Sequence, residues 1–275
     1  MGRLCREWGV ELLGTLEDGW SSYVAFGRRR DEPVVLKVVP LVAEGRAEIA
    51  GLLARDGHRV PTLLCHDLAA VALLLSRVRE RPLAQGELDV GSVGELLRGL
   101  HLRVDSPPEY VPWLRDRLRA HWASRVDVNR DRGRMLPDGL VADAASSVER
   151  LCASWSRPVL LHGDFERRNI LYSEDGAVAI DSPAAAGDPG YDAAWWLLSE
   201  CADNAELFRH DAIVLAGALA YPMQRIWSWA WPLAVDDLLD KLLVPGWQQE
   251  DINDAFGVAR MVAKVIAPRW YSVLA

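Results

Sequence analysis

Apolar and polar residues alternate, or run apolar, over residues 10–16, 20–26 and 33–39, with Gly14, Gly19 and Gly27 set among them. A period of two turns one face of a strand toward a core, and glycines mark the turns, so these segments predict antiparallel strands. Residues 43–54 change to helical spacing, with Ile49, Leu52 and Leu53 on the apolar face. Residues 63–65 and 69–76 return to a strand pattern, which completes an expected five-stranded sheet beside one helix.

From residue 87 onward the spacing is helical. Val93, Leu96, Leu97 and Leu100 predict a helix ending near His101, Leu114, Leu118 and Trp122 a second, and residues 141–155 a third. Residues 158–161 predict a short strand. Two more apolar runs, 170–173 and 177–180, flank Glu174-Asp175-Gly176, a turn signal with Gly where positive φ is needed, and so predict a hairpin. Beyond Asp192 the pattern is helical to the end. The expected fold class is α+β: a small lobe of antiparallel strands and one helix (residues 1–78), a hinge at about 76–82, and a larger, mainly helical lobe (79–275).

Composition narrows the partners. Half of the 275 residues are apolar and the formal net charge is −8, with Arg scattered among acids. Nucleic acid would require a concentrated basic patch, so it is not an expected partner, and a cationic small molecule is the more natural one. Residues 68–75 and 212–223 are too short or too interrupted to span a bilayer, and the charged N-terminus MGRLCREWGV lacks an apolar leader, so the expected location is the cytoplasm. Cys5, Cys65, Cys152 and Cys201 show no metal or redox spacing and read as reduced thiols. The composition is silent on oligomeric state. Twelve Trp residues, six of them at 195, 196, 227, 229, 231 and 247, read as packing between helices, with a stacking surface for a ring substrate as the alternative. Glu200, Asp203 and the carboxylates after residue 236 read either as an acidic cleft for a cationic substrate or as solvated helix faces.

Candidate chemistry is concentrated around the hairpin. In an antiparallel pair the residue before the first strand faces the residue after the second, so Asn169 and Asp181 are expected roughly 5 Å apart. An amide oxygen and a carboxylate suit Mg²⁺, a hard cation that keeps waters and completes its shell with phosphates. Asp164, five residues before Asn169, is the candidate base. Lys37 is the only Lys of the first lobe and lies inside a strand pattern with no structural need for an ammonium, so it is expected on nucleotide phosphates. The helix supplies Glu44 and Glu48 as possible counter-charges, and Glu48, beside the apolar stripe, is the expected one. Gly14-x-x-x-x-Gly19 reads either as a flexible turn over those phosphates or as an ordinary turn. Asp188 and Asp192 also fit ordinary helix capping.

Together, His162-Gly163-Asp164 followed by Asn169, Ile180-Asp181, and Gly187-Asp188-Pro189-Gly190-Tyr191-Asp192 resemble the aminoglycoside phosphotransferase family, a small-molecule branch of the protein-kinase-like fold. The resemblance implies a bilobal kinase-like architecture, ATP and Mg²⁺ as cofactors, Asp164 as the catalytic residue, Lys37 paired with Glu48 on the nucleotide, and Asn169 with Asp181 on the metal. It further implies that His162 and Asp188 support the loop, and that backbone groups of Ser76, Arg77 and Val78 meet the adenine edge. Glu200 and Asp203 are the expected substrate-facing carboxylates. Within the family, Ala179-Ile180-Asp181 and the 187–192 segment are most similar to the streptomycin 6-kinase and hydroxyurea phosphotransferase branch, although Ser182 replaces the Pro expected after Asp181. An antibiotic hydroxyl is therefore the leading expectation. The alternatives are a metabolic kinase for choline, homoserine or a sugar, and a silent nucleotide-binding module. No Ala-Pro-Glu element follows Asp181, which points away from a protein kinase.

Overall fold

The computed structural model describes residues 1–15, 22–78, 89–155, 157–173, 176–201 and 204–274. Its first element, helix α1 (Gly2–Trp8), is one that the apolar spacing does not predict; it closes on Gly9 at φ 65°. Strands β1 (Glu11–Thr15), β2 (Tyr23–Arg29) and β3 (Glu32–Val38) follow, then helix α2 (Val42–Arg55) and strands β4 (Leu63–Asp67) and β5 (Ala72–Ser76). The strands form one antiparallel sheet in the order β1-β2-β3-β5-β4, the expected number and sense.

Alternation along β3 decides what each face of this sheet does. Val34 and Leu36 turn to one side with Val10, Ala25 and Leu74, where Cys5 and Trp8 of α1 cover them. That covering role explains α1, whose few apolar residues are too sparse to announce a helix. Leu73 and Leu75 turn to the other side and pack with Ile49 and Leu52 of α2. Lys37, between Val24 of β2 and Leu73 of β5, occupies the middle of the sheet. Leu53, expected on the apolar face of α2, is 54% exposed, and Glu48 and Arg55 are buried instead.

The large lobe begins with α3 (Val90–Leu100), β6 (Leu102–Arg103), α4 (Leu114–Asp131) and α5 (Asp138–Ala153). Next come β7 (Val159–Leu161), the hairpin β8 (Ile170–Ser173) and β9 (Gly176–Ala179), and β10 (Ala185–Gly187); Gly176 has φ 107°, as the turn requires. Helices α6 (Gly190–Cys201), α7 (Ala205–Leu219), α8 (Met223–Leu243) and α9 (Gln249–Ile266) follow, and a 3₁₀ turn at Pro268–Trp270 comes after them. One apolar core runs through both lobes, joining Ile49, Leu73 and Leu75 to Leu97, Trp196, Trp229 and Val262. Trp196, Trp229 and Trp231 are among the largest fully buried side chains, so these three pack rather than stack on a ligand. Among the described residues no helix is long and apolar enough to cross a membrane. All four cysteines are free thiols, and burial pushes Cys152 and Cys201 up to about 12, which leaves them protonated and unreactive.

Two contacts seat α2 on the large lobe. Gly51 allows close approach, since a Cβ there would lie 2.7 Å from the Cβ of Ala184. Arg55, 3% exposed, donates to the carbonyls of Gly51 (3.3 Å), Leu100 (3.2 Å), Leu160 (3.2 Å) and Leu161 (2.9 Å). Burial lowers this guanidinium to about 10, so it keeps its charge at neutral pH. Its rigid fork reaches carbonyls at the ends of α2, α3 and β7 together, which a single ammonium could not do. Arg55→Met is therefore expected to strand several buried carbonyls and to lower the unfolding free energy by about 3 kcal/mol or more, read from the urea midpoint.

Candidate active site

Strand β7 runs directly into residues 162–169, which close through a 3₁₀ turn at Arg167–Asn169 before β8 begins. Asp192, in the first turn of α6 and fully buried, shapes this loop. Its Oδ2 accepts the His162 N–H (2.7 Å) and the His101 Nε2–H (2.9 Å), and its Oδ1 accepts the Gly163 N–H (2.9 Å). Burial works against this carboxylate, but the hydrogen bonds from His101 and from the Gly163 N–H outweigh it and hold Asp192 below the usual carboxylate range. Capping alone does not describe its role: it pins the loop from behind.

Gly163 has φ 90°, and a Cβ there would meet the Pro183 carbonyl oxygen at 2.8 Å and Arg117 Nη1 at 3.1 Å. Both obstacles are part of one device, because Arg117 donates to the carbonyls of Pro183 (2.6 Å) and Gly163 (3.2 Å). His162 is fully buried, and desolvation lowers it, so the neutral ring donates Nε2–H to the Ile180 carbonyl (2.8 Å). Ser182, the departure from the family pattern, donates its hydroxyl to the His162 carbonyl (2.8 Å) and so ties the segment after Asp181 to the same loop.

Asp164 carries the partly exposed carboxylate of the loop. Asn169 braces it: Nδ2 donates to the Asp164 carbonyl (2.9 Å) and to Asp164 Oδ2 (3.0 Å). With both amide hydrogens committed, Oδ1 is the side-chain atom Asn169 has to offer a cation. The expected pairing with Asp181 is off by one residue. Gly176 pairs with Ser173, so the residue facing Asn169 is Ile180, whose N–H donates to the Asn169 carbonyl (2.9 Å). Asp181 lies one step beyond, at φ 56°, and this left-handed turn carries its carboxylate to Lys37.

Lys37 unites the two lobes. Its ammonium donates to Glu48 Oε1 (2.7 Å), Glu48 Oε2 (2.8 Å) and Asp181 Oδ1 (2.8 Å), which uses all three hydrogens. Burial works against the charge, yet the two carboxylates hold Lys37 above its ordinary value. The side chain of Asp181 is 50% exposed, so oxygen faces solvent beside the pair. Among the described residues no group of three or more His, Cys, Asp or Glu could hold a metal by itself. Two hard oxygens, from Asn169 and Asp181, nevertheless fit Mg²⁺, which takes one or two protein ligands and fills its shell from phosphates and water.

Other expectations are redistributed. Asp188 does not touch the loop; it accepts the Gly190 N–H (2.9 Å), the Tyr221 hydroxyl (2.5 Å) and Arg225 Nε (2.5 Å), and so anchors α6 to α8. Loop support passes to Asp192 because only that carboxylate, one helical turn further on, reaches the N–H groups of residues 162 and 163. Glu200 is neutralised by Arg167, which donates to its Oε1 at 2.9 Å, so it is not a bare carboxylate awaiting a cation. Asp236 and Asp240 are likewise paired with Arg125, and Asp237 with Lys241. The Ser76 N–H is taken by the Thr62 carbonyl (2.9 Å) and the Arg77 N–H by the Pro33 carbonyl (3.1 Å), so sheet pairing uses both, and half-buried Val78 is the next residue along. Gly19 and Asp203 lie outside the described residues.

One site residue goes unrecognised in the sequence. Glu166, two residues after Asp164, hydrogen-bonds to it and ion-pairs with Arg168. Burial first, then the Asp164 charge, raise Glu166 to about 7. Its signal was only its place inside the loop.

Fold and site together define a kinase-like phosphotransferase. Residues 13–229 match the phosphotransferase enzyme family, and the chain belongs to it. Streptomycin 6-kinase of Streptomyces glaucescens is 33% identical over 202 residues, 69% of this chain, and the chain spans 62% of that relative's length. An aminoglycoside phosphotransferase solved as a ternary complex with ADP and hygromycin B superposes with a TM-score of 0.61 at 17% identity, covering 96% of this chain and 98% of that one. Choline kinase from Streptococcus pneumoniae superposes at 0.66 with 12% identity, covering 96% and 97%. At such identities these two structures speak for the fold.

Two outcomes follow from this geometry. Gly163→Ala forces a left-handed backbone onto a residue with no room for its Cβ; a stability loss of about 1–3 kcal/mol is expected by chemical denaturation. Glu166 binds a proton in the folded chain between its unfolded value of 4.5 and about 7. The stability it contributes is therefore present below pH 4.5 and lost as pH rises through 7. The stability of Glu166→Gln relative to the parent should increase across that window and level off above it; a difference independent of pH would contradict the assignment.

Proposed function

We propose that this protein is an ATP-dependent O-phosphotransferase that phosphorylates a hydroxyl of a small cationic, streptomycin-like antibiotic and so confers resistance. One observation carries the reading: the buried Lys37–Glu48 pair of the small lobe meets Asp181 of the large lobe beside the braced pair Asp164 and Asn169. Kinship with a streptomycin 6-kinase supports the choice of substrate class.

In this mechanism Asp164 orients the substrate hydroxyl and accepts its proton as the oxygen attacks the γ-phosphorus and the bond to the departing ADP breaks. Bound Mg²⁺ would supply charge neutralisation at the phosphate oxygens. Asn169 and Asp181 would hold it there. Lys37 exchanges Asp181 for the α- and β-phosphates, while Glu48 keeps the ammonium in place. Val78 offers backbone groups to the adenine. Residues 1–78 then serve the nucleotide and 79–275 the acceptor, in the cytoplasm, where ATP is abundant and thiols stay reduced.

A metabolic kinase for a small alcohol such as choline, homoserine or a sugar is the second reading, since the fold is one that a choline kinase shares. A silent nucleotide-binding module accords poorly with the presence of Lys37, Asp164, Asn169 and Asp181 in one cluster. Incubation with Mg-ATP and a panel of streptomycin, other aminoglycosides, hydroxyurea, choline and homoserine separates these readings by mass spectrometry. Streptomycin should gain one phosphate (about 80 Da), and Asp164→Ala and Asp181→Asn should each lower kcat on the order of 10³-fold or more. Phosphate on choline or homoserine alone would move the protein to the second reading, and full activity in Asp181→Asn would refute the metal site.

A further inference from the structure

Away from Asp164, one face of α5, the start of α8 and the chain just after α9 enclose a cavity of about 720 Å³. None of its lining residues belongs to the cluster described above. This volume is within the range of about 300–1,000 Å³ typical of metabolite sites.

The wall has two characters. Leu151, Trp231, Ile266 and Pro268 are apolar, whereas Arg150, Arg225 and Arg269 bring three guanidinium groups against one carboxylate, Asp143. That carboxylate is already engaged: Oδ1 pairs with Arg269, and Oδ2 accepts the Trp270 Nε1–H (2.9 Å). Arg225 is tethered by Asp188, the Leu151 carbonyl (2.7 Å) and Ser154 Oγ (2.9 Å). Arg150 differs. It donates to Ser147 Oγ (2.8 Å) and, among the described residues, has no carboxylate within ion-pair distance.

Each guanidinium carries five N–H donors, so donors far outnumber acceptors around the cavity. With Arg225 paired to Asp188 and Arg269 to Asp143, Arg150 leaves the wall with one positive charge in excess of its carboxylates. Guanidinium forks match the paired oxygens of carboxylates and phosphates, and an apolar wall beside them suits a ligand with a hydrophobic body.

We propose that this cavity binds a metabolite-sized organic oxyanion, its phosphate or carboxylate group held by Arg150 and Arg269 and its apolar body against the more accessible Ile266 and Pro268. The site is separate from the nucleotide cleft, and the cationic acceptor of the phosphotransfer reaction does not suit it.

Isothermal titration of the full chain tests this with phenyl phosphate and benzoate as probes and benzyl alcohol as the uncharged control. At least one anionic probe should bind and the alcohol should not; the tighter of the two anions identifies the preferred head group. Arg150→Glu, a change at an exposed helix position, should weaken binding at least tenfold without altering the melting temperature, and Arg269→Ala should weaken it less. Lys37→Met should leave it intact. Absence of binding at millimolar probe, or indifference to Arg150→Glu, would overturn the proposal. Loss in Lys37→Met with retention in Arg150→Glu would place the probe in the nucleotide cleft and overturn it equally.

Discussion

A buried ammonium must be paired, and in this protein the pairing of Lys37 organises everything around it. An unpaired charge in the middle of a sheet would neutralise or unfold its surroundings. Glu48 supplies one partner from α2 and Asp181 supplies the other from the end of the β8–β9 hairpin. The interaction therefore draws a strand, a helix and a hairpin from distant parts of the chain to one point. It also leaves carboxylate oxygen of Asp181 toward solvent, where charge on an incoming ligand can be met.

Around that point the backbone is held by groups that do no chemistry themselves. Arg55 ties the end of α2 to carbonyls at α3 and β7, and Asp192 ties α6 to the N–H groups of residues 162 and 163. One is a buried cation facing carbonyls, the other a buried anion facing N–H groups. Their opposite charges face each other across β7, and Asp192 is the group whose field favours the charged form of Arg55. Donors and acceptors are thus matched on both sides of the strand that leads into the candidate loop, which restricts where Asp164 can sit.

Gly163, within the family motif, and Ser182, the departure from it, acquire physical content in this setting. Gly163 is demanded by a left-handed backbone and by the Arg117 guanidinium packed over it. Ser182 supplies a hydroxyl to the His162 carbonyl, a bond that Pro could not make. Membership of the phosphotransferase enzyme family rests on the whole matched span, residues 13–229.

Short-range pattern determined the five strands of the first sheet, the helix between the third and fourth of them, the hairpin and the candidate residues Lys37, Glu48, Asp164 and Asn169, because period, turn residues and out-of-place charges are local properties. Helix α1 escaped, since its few apolar residues acquire meaning only against the far face of the sheet. The offset of Asp181 escaped because a hairpin register depends on which residue closes the turn, and Gly176 closes it one position earlier than the apolar run suggests. Asp188 and Asp192 sit in one motif and are alike in sequence, yet folding turns the first toward α8 and the second toward the loop. Glu200 and Glu166 show the same limit: whether a carboxylate is bare, ion-paired or pushed toward its protonated form by burial depends on neighbours that only tertiary structure brings within reach, since electrostatic energy follows distance in space and not separation along the chain.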